Sequence, residues 1–287
     1  MRTSTPSPAE LRSPGILYGT AWKKLDTERL VRLALEQGFR GIDTACQPKH
    51  YHEAGVGAGV CACLDATLTR AGLYLQTKFT PLSGQDPTNI PYDPKAPLAE
   101  QVRQSFAVSL RNLRTDYLDC LVLHSPLSTT QHTLDAWRAM ELLVFEGGVR
   151  QLGISNCYQL ELLQRLYRSA QIKPTVVQNR FYADTSYDRT IREFCRNHAI
   201  IYQSFWTLTA NPDVLSHPAL LALASKYGRT REQVLLRYLT QNGVVPLTGT
   251  RSETHMREDL AVFEFQLLDK ECQEVDRILA EKGASAL

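Results

Sequence analysis

"GILYGTAWKK" (residues 15–24) decides which α/β fold this chain can adopt. An apolar run ends at Gly19, and the turn that follows is Thr-Ala-Trp-Lys-Lys. A doubly wound nucleotide-binding sheet normally carries a glycine-rich phosphate turn at that point, and this turn is not one. Seven further short apolar or β-branched runs follow: "RGIDTA" (40–45), "LYLQTKF" (73–79), "YLDCLVLH" (117–124), "VRQLGIS" (149–155), "TVVQNR" (175–180), "IIYQSF" (200–205) and "VVPLTG" (244–249). Most are apolar on both faces, as buried parallel strands are. Helix-periodic segments separate them. Leu30, Leu33 and Ala34 share a face of 27–38, and Val102, Phe106, Leu110 and Leu113 recur every three to four positions in 98–113. "TREQ" (230–233) has the form of a capping box at a helix start. Eight strand–helix units in ~250 residues predict a single (β/α)8 TIM barrel with parallel strands. No linker divides the chain, so residues 1–287 are read as one barrel domain. Residues 1–14 are expected to be a frayed polar leader, since they lack the apolar segment of a signal peptide.

Composition narrows the partners. The formal net charge is +2 with no basic run, so nothing favours nucleic acid or an acidic membrane surface. No apolar stretch approaches the ~20 residues of a membrane span. Seven cysteines, an odd number without regular spacing, suit reduced thiols and a cytoplasmic location. "CAC" (61–63) falls in a helical pattern, where positions i and i+2 point apart, which argues against a metal there. The longest irregular stretch, 80–97, is expected to be functional or mobile.

In such barrels the chemistry sits at the C-terminal strand ends. Those ends carry Asp43, Lys78 and His124, then Ser155 with Asn156, Gln178, and Ser204 with Trp206. Tyr51 can reach the same place from the loop after Asp43. A buried Asp and a buried Lys offset each other's desolvation. A Lys ammonium beside a phenol favours phenolate and is expected to lower the Tyr51 pKa from its usual ~10. Such a phenol can protonate a carbonyl oxygen while a neutral His orients it. The group supplies no hydride, so a reduced cofactor is required. Taken singly, Asp43 reads as a helix cap, Lys78 as a snorkelling lysine and His124 as a core histidine. Their ordered coincidence is what favours the catalytic reading. His52 reads as a solvent-facing loop residue, Cys46 as a small spacer, and Asp116 and Asp119 as turn and strand-edge residues.

Six ordered segments then resemble the aldo-keto reductase family. "GFRGIDTA" with Tyr51, Glu53 and Val56-Gly57 is similar to its strand-two signature, "LQTKF" to its lysine strand and "DYLDCLVLHSP" to its histidine strand. "VRQLGISN" and "VVQNRF" resemble its carboxamide segments, and "VVPLTGTRSETHMREDL" (244–260) its cofactor-phosphate segment. The resemblance implies an oxidoreductase that reduces an aldehyde or ketone, with Asp43, Tyr51, Lys78 and His124 as tetrad. It implies a dinucleotide held by Gly19, Thr20, Asp43, Ser155, Asn156, Gln178, Gln203, Ser204, Phe205, Trp206, Gly249, Thr250, Arg251, His255, Glu258 and Asp259. Arg251 would pair with a 2′-phosphate and favour NADPH (NADP+), with NADH possible. Trp22, Tyr51, His124 and Trp206 would wall a small-molecule substrate.

The sequence departs from that pattern in four places. The usual five-residue spacing from the Asp lands on Pro48, and Glu53 and Val-Gly are shifted by two, implying a two-residue insertion. Counting back from Glu53 lands on His50, with Tyr51 next to it; Tyr51 has the phenol, and His50 is the alternative. The aromatic that stacks on nicotinamide falls on Gln203, leaving Phe205 or Trp206 for that face. The lysine of the phosphate segment is Gly249. The chain ends at "EKGASAL", so the substrate pocket is either open or covered by 80–97. Two other functions remain: a metal-dependent hydrolase suggested by "HYH" (50–52), for which no metal-ligand set is found at later strand ends, and a non-catalytic nucleotide-binding barrel.

Overall fold

The apolar runs form eight strands in a computed structural model that describes residues 13–285. They are β1 (Leu17–Gly19), β2 (Gly41–Asp43), β3 (Tyr74–Phe79), β4 (Leu118–Leu123), β5 (Val149–Ser155), β6 (Val176–Arg180), β7 (Ile201–Phe205) and β8 (Val244–Thr248). Each begins and ends within two residues of the sequence expectation. They close in chain order into one barrel, with every neighbouring pair parallel. The chain is a (β/α)8 TIM barrel. Most of the expected leader, residues 1–12, lies outside the described residues.

Around the sheet run α1 (Thr27–Gln37), α2 (Glu53–Cys63), α3 (Leu98–Leu113), α4 (Thr130–Phe145), α5 (Leu160–Ser169) and α6 (Arg189–Asn197). They are followed by the short α7 (Pro212–Leu215), α8 (Pro218–Tyr227), α9 (Arg231–Gln241), α10 (Glu253–Leu260) and α11 (Asp269–Ser285). The expected capping box is present at α9: the Thr230 hydroxyl accepts from the Gln233 N–H, and the Gln233 side chain accepts from the Thr230 N–H. The large core lies between sheet and helices; a smaller one inside the barrel is built from Leu17, Tyr74, Cys120, Val122 and Val176. Among the described residues no helix is long and apolar enough to cross a membrane.

Two contacts fix the start of α2. Glu53 is buried, and its carboxylate accepts from Thr77 (2.6 Å), Ser109 (2.8 Å) and Asn112 (3.3 Å), which ties α2 to β3 and α3. Four residues on, a Cβ at Gly57 would sit 2.1 Å from the Asn112 carbonyl oxygen, so only glycine lets α2 approach α3 this closely. With α2 fixed at both points, extra residues can be taken up only in the turn 44–52.

The 80–97 stretch is pinned rather than free. Gln85 donates to the carbonyls of Cys46 (3.0 Å) and Thr80 (3.1 Å), Tyr92 to Thr80 (2.8 Å), and Gln47 to Gly84 (2.6 Å). The expectation of a cover over the pocket fails here, because these bonds hold the loop against the strand ends and no residue of 80–97 lines the cleft.

Candidate active site

Asp43, at the end of β2, is the hub of the barrel mouth. Lys78 on β3 donates to both its oxygens, at 2.8 and 2.6 Å, and to the Thr44 carbonyl at 2.8 Å. An ammonium has three N–H donors, and these acceptors take all three. Gln76 (2.7 Å) and Gln178 (3.0 Å) also donate to Asp43 Oδ1. Gln203 closes the layer by exchanging bonds with Gln76 (2.7 and 3.0 Å) and accepting from Gln178 (2.9 Å). These side chains are all buried, so the charged pair sits on a satisfied polar layer above the apolar interior.

Tyr51 returns from the turn 44–52 to lie over this pair. The Lys78 ammonium is 5.3 Å from its ring centre, and the ring meets that of His124 edge-on at 5.9 Å. His50 also lines the cleft and lies against Trp22, with 3.8 Å between ring centres and the planes tilted by 36°; its buried Nδ1 has no hydrogen-bond partner among the described residues. His124 Nδ1 is 2.6 Å from the Thr80 hydroxyl. Burial, then the Lys78 charge, holds the His124 pKa well below its ordinary value, so the imidazole is neutral. The phenol goes the other way from expectation. Burial first, and then the Asp43 carboxylate, push the Tyr51 pKa up. Lys78 is fully engaged by Asp43 and Thr44, and among the described residues it makes no hydrogen bond to the phenol.

Asp43, Tyr51 and His124 open into one cleft of about 1070 Å³, at whose floor Lys78 is buried. Ser155, Asn156 and Gln178 line it near Asp43; Gly249, Thr250, Arg251, His255, Glu258 and Asp259 line its far end. Gly19, Trp22, Phe205 and Trp206 form walls between. Asn156 donates to the His124 carbonyl at 2.8 Å. Trp22, Asn156 and Trp206 all have positive φ (62°, 54° and 56°), a strained backbone of the kind that collects at functional sites.

Three expected cofactor contacts do not reach the cleft. Thr20 is fully buried, its hydroxyl donating to the Asp43 carbonyl at 2.9 Å. Gln203 points into the barrel beneath Asp43, and Ser204 is buried, accepting from Thr207 at 2.9 Å. Thr207, Leu208 and Thr209 stand on the cleft wall as well. His52 is exposed. Cys46 is buried with its thiol pKa pushed up by burial and then Glu53, as suits a spacer. Asp119 is structural, bound to Arg70 (2.8 Å) and Arg150 (3.0 Å).

Sequence reasoning missed four contributors. Gln76 lies two positions before Lys78 and Arg180 two after Gln178, so strand alternation alone puts each on its partner's face. Thr80, the partner of His124, lies two positions after Lys78 and carries the same signal; Lys23, which donates to the Gly249 carbonyl at 2.6 Å, carries none. Burial, then Arg251, lowers the Lys23 pKa to about 8.

Comparison with known proteins decides the family. The model of the aldo/keto reductase family matches residues 15–280. The chain belongs to that family. Glyoxal reductase of Bacillus subtilis is 30% identical over 249 residues, covering 86% of this chain and 82% of that one. Methylglyoxal reductase DkgA of Salmonella typhimurium is 30% identical over 260 residues, covering 90% and 86%. Among solved structures, an aldo-keto reductase from a Medee basin deep-sea metagenome library superposes with TM-score 0.81 at 25% identity, over 95% of this chain and 93% of that one. This aldo-keto reductase is therefore an oxidoreductase of the carbonyl-reducing kind, from a family that works with nicotinamide cofactors.

Proposed function

We propose that the chain reduces a small aldehyde or ketone with NADPH, with Tyr51 as proton donor. The observation that carries this is the convergence of a phenol, a neutral imidazole and a buried Lys–Asp pair on one end of a dinucleotide-sized cleft. A bound nicotinamide would supply the hydride. The donor set suits that group. Gln178 spends its amide N–H on Asp43 and Gln203, which leaves its carbonyl oxygen to accept from a carboxamide. Asn156 and the Ser155 hydroxyl stand beside it. At the far end Arg251 offers a planar fork to a 2′-phosphate.

Within the site, His124 is a positioning group. The Thr80 hydroxyl and His124 Nδ1 share a hydrogen bond; in the tautomer where the hydroxyl donates, the ring proton sits on Nε2 and can hold a carbonyl oxygen. Tyr51 holds its proton across the physiological range, since its pKa lies above the ordinary phenol value. A developing alkoxide is a far stronger base than phenolate, so the proton moves only as that charge appears. The buried pair below keeps the ring in register. Among the described residues no group of three or more His, Cys, Asp or Glu side chains is arranged to hold a metal, which lends the hydrolase reading no support. We take one barrel domain as the unit of activity, and seven free cysteines fit a reducing compartment such as the cytoplasm.

NADPH consumption over a carbonyl panel that includes glyoxal and methylglyoxal, the substrates named for the two bacterial relatives, tests the reading. Tyr51→Phe is expected to lower kcat by roughly 10²–10⁴-fold while NADPH affinity, read by calorimetry, stays within about twofold. Full activity in that variant would move the acid to His50.

A further inference from the structure

β6 presents two side chains to the cleft. Gln178 is one; Arg180 is the next on that face, one pleat or ~7 Å nearer the mouth. The Arg180 guanidinium lies 4.3 Å from the centre of the Trp206 ring and 5.1 Å from that of Tyr182. Its backbone N–H donates to the Tyr158 hydroxyl at 3.2 Å, and that hydroxyl donates to Asn156 Oδ1 at 3.3 Å. Arg180 thus belongs to the Asn156 side of the cleft and not to its Arg251 end.

The other cations of the cleft are spoken for. Lys78 is held by Asp43 and Thr44, Arg251 by Asp26 (2.7 Å) and the Trp22 carbonyl (2.9 Å), and Lys23 by the Gly249 carbonyl. Among the described residues the Arg180 guanidinium has neither a carboxylate nor a carbonyl partner. Attraction to the two ring faces spends none of the guanidinium N–H donors. A planar fork left unpaired in this way matches the two oxygens of a carboxylate or phosphate.

We propose that Arg180 receives an oxyanion group of the bound ligand. The group has two possible sources, a carboxylate at the far end of the substrate or the dinucleotide pyrophosphate. The proposal rests on the reductase reading and adds a second anchoring point to it.

The experiment compares wild type, Arg180→Met and Arg180→Lys. Kinetics with succinic semialdehyde and with its uncharged counterpart butanal gives the KM ratio; calorimetry with NADPH and with succinate gives binding directly. Loss of a charge-assisted hydrogen bond is worth about 10–100-fold. A rise of that size in the succinic semialdehyde to butanal KM ratio for Arg180→Met, partly restored in Arg180→Lys, assigns the site to a substrate carboxylate. The same rise in the NADPH dissociation constant assigns it to the pyrophosphate. Changes below about twofold in every readout overturn the proposal. Absence of turnover by wild type would instead defeat the reductase reading, and the two calorimetric titrations would still decide for or against Arg180.

Discussion

Two ion pairs of nearly equal length sit in this molecule, one at the floor of the cleft and one at its rim. Lys78 and Asp43 meet at 2.6 Å with side chains 1% and 3% exposed; Arg251 and Asp26 meet at 2.7 Å with side chains 53% and 47% exposed. Length therefore says nothing about their difference, and burial says nearly everything. At the floor, water cannot replace a lost partner, so Gln76, Gln178 and Thr44 complete the shell of the pair. At the rim, water competes for both groups and screens them. A rigid anchor is possible only at the floor, and an exchangeable contact only at the rim.

The largest effect is expected from breaking the floor. Lys78→Met leaves Asp43 buried without its cation, a change that typically costs about 3–5 kcal/mol. Denaturant unfolding is expected to report a loss of that order together with the loss of carbonyl reduction. The double variant Asp43→Asn with Lys78→Met removes both charges and is expected to recover most of the stability but none of the activity. If the double variant is as unstable as the single one, packing rather than the stranded charge sets the cost.

How far the sequence reaches follows the same division. The strands, the barrel and the residues closing β2 to β6 were legible because each is a local pattern: an apolar run, a punctuating polar residue, an ordered motif. Tyr51 was legible despite the insertion, since Glu53 and Gly57 fix α2 and leave the slack in one turn. The misplacement of Gln203 came from carrying a position across without asking what lay beneath Asp43. Gln203 meets Gln76 across 127 residues of chain. Thr20 and Ser204 failed because their hydroxyls are already satisfied, Thr20 by the Asp43 carbonyl across the β1–β2 ends and Ser204 by Thr207 three residues on. The phenol's pKa went the wrong way because the sequence could not reveal how deeply the Tyr51 ring is buried or how near Asp43 it lies.

A third carboxylate separates burial from pairing. Asp259 lies toward the rim end but is 6% exposed, with no ion pair among the described residues. Burial raises its pKa to about 7, with Glu258 and Glu232 adding to the rise and His255 opposing it. The unfolded value is ~3.9. Between these two, the folded chain holds a proton that the unfolded chain has given up, so stability falls as pH rises through the window. Asp259→Asn is expected to flatten that slope in thermal melts at pH values on either side of the window, and to raise stability at the alkaline end by a few kcal/mol on the order set by the shift. An unchanged slope would mean that water reaches the carboxylate in solution.

The smallest expected effect is at the rim, and its sign carries the information. Arg251 spends Nη1 on Asp26 and Nη2 on the Trp22 carbonyl. To meet a 2′-phosphate with both nitrogens, the guanidinium has to leave the carboxylate. An exposed pair of this kind is worth about 0.2–1 kcal/mol. Asp26→Asn should therefore tighten NADPH by roughly 1.5–5-fold, leave NADH almost unmoved, and change stability within about 0.5 kcal/mol. Arg251→Ala should weaken NADPH more than NADH, and Asp26→Asn should have no further effect in that background, which a double-mutant cycle reads directly. The gain should shrink as salt screens the rim. If Asp26→Asn instead weakens NADPH, Asp26 holds Arg251 in place for the phosphate, and the rim works as a second anchor like the floor.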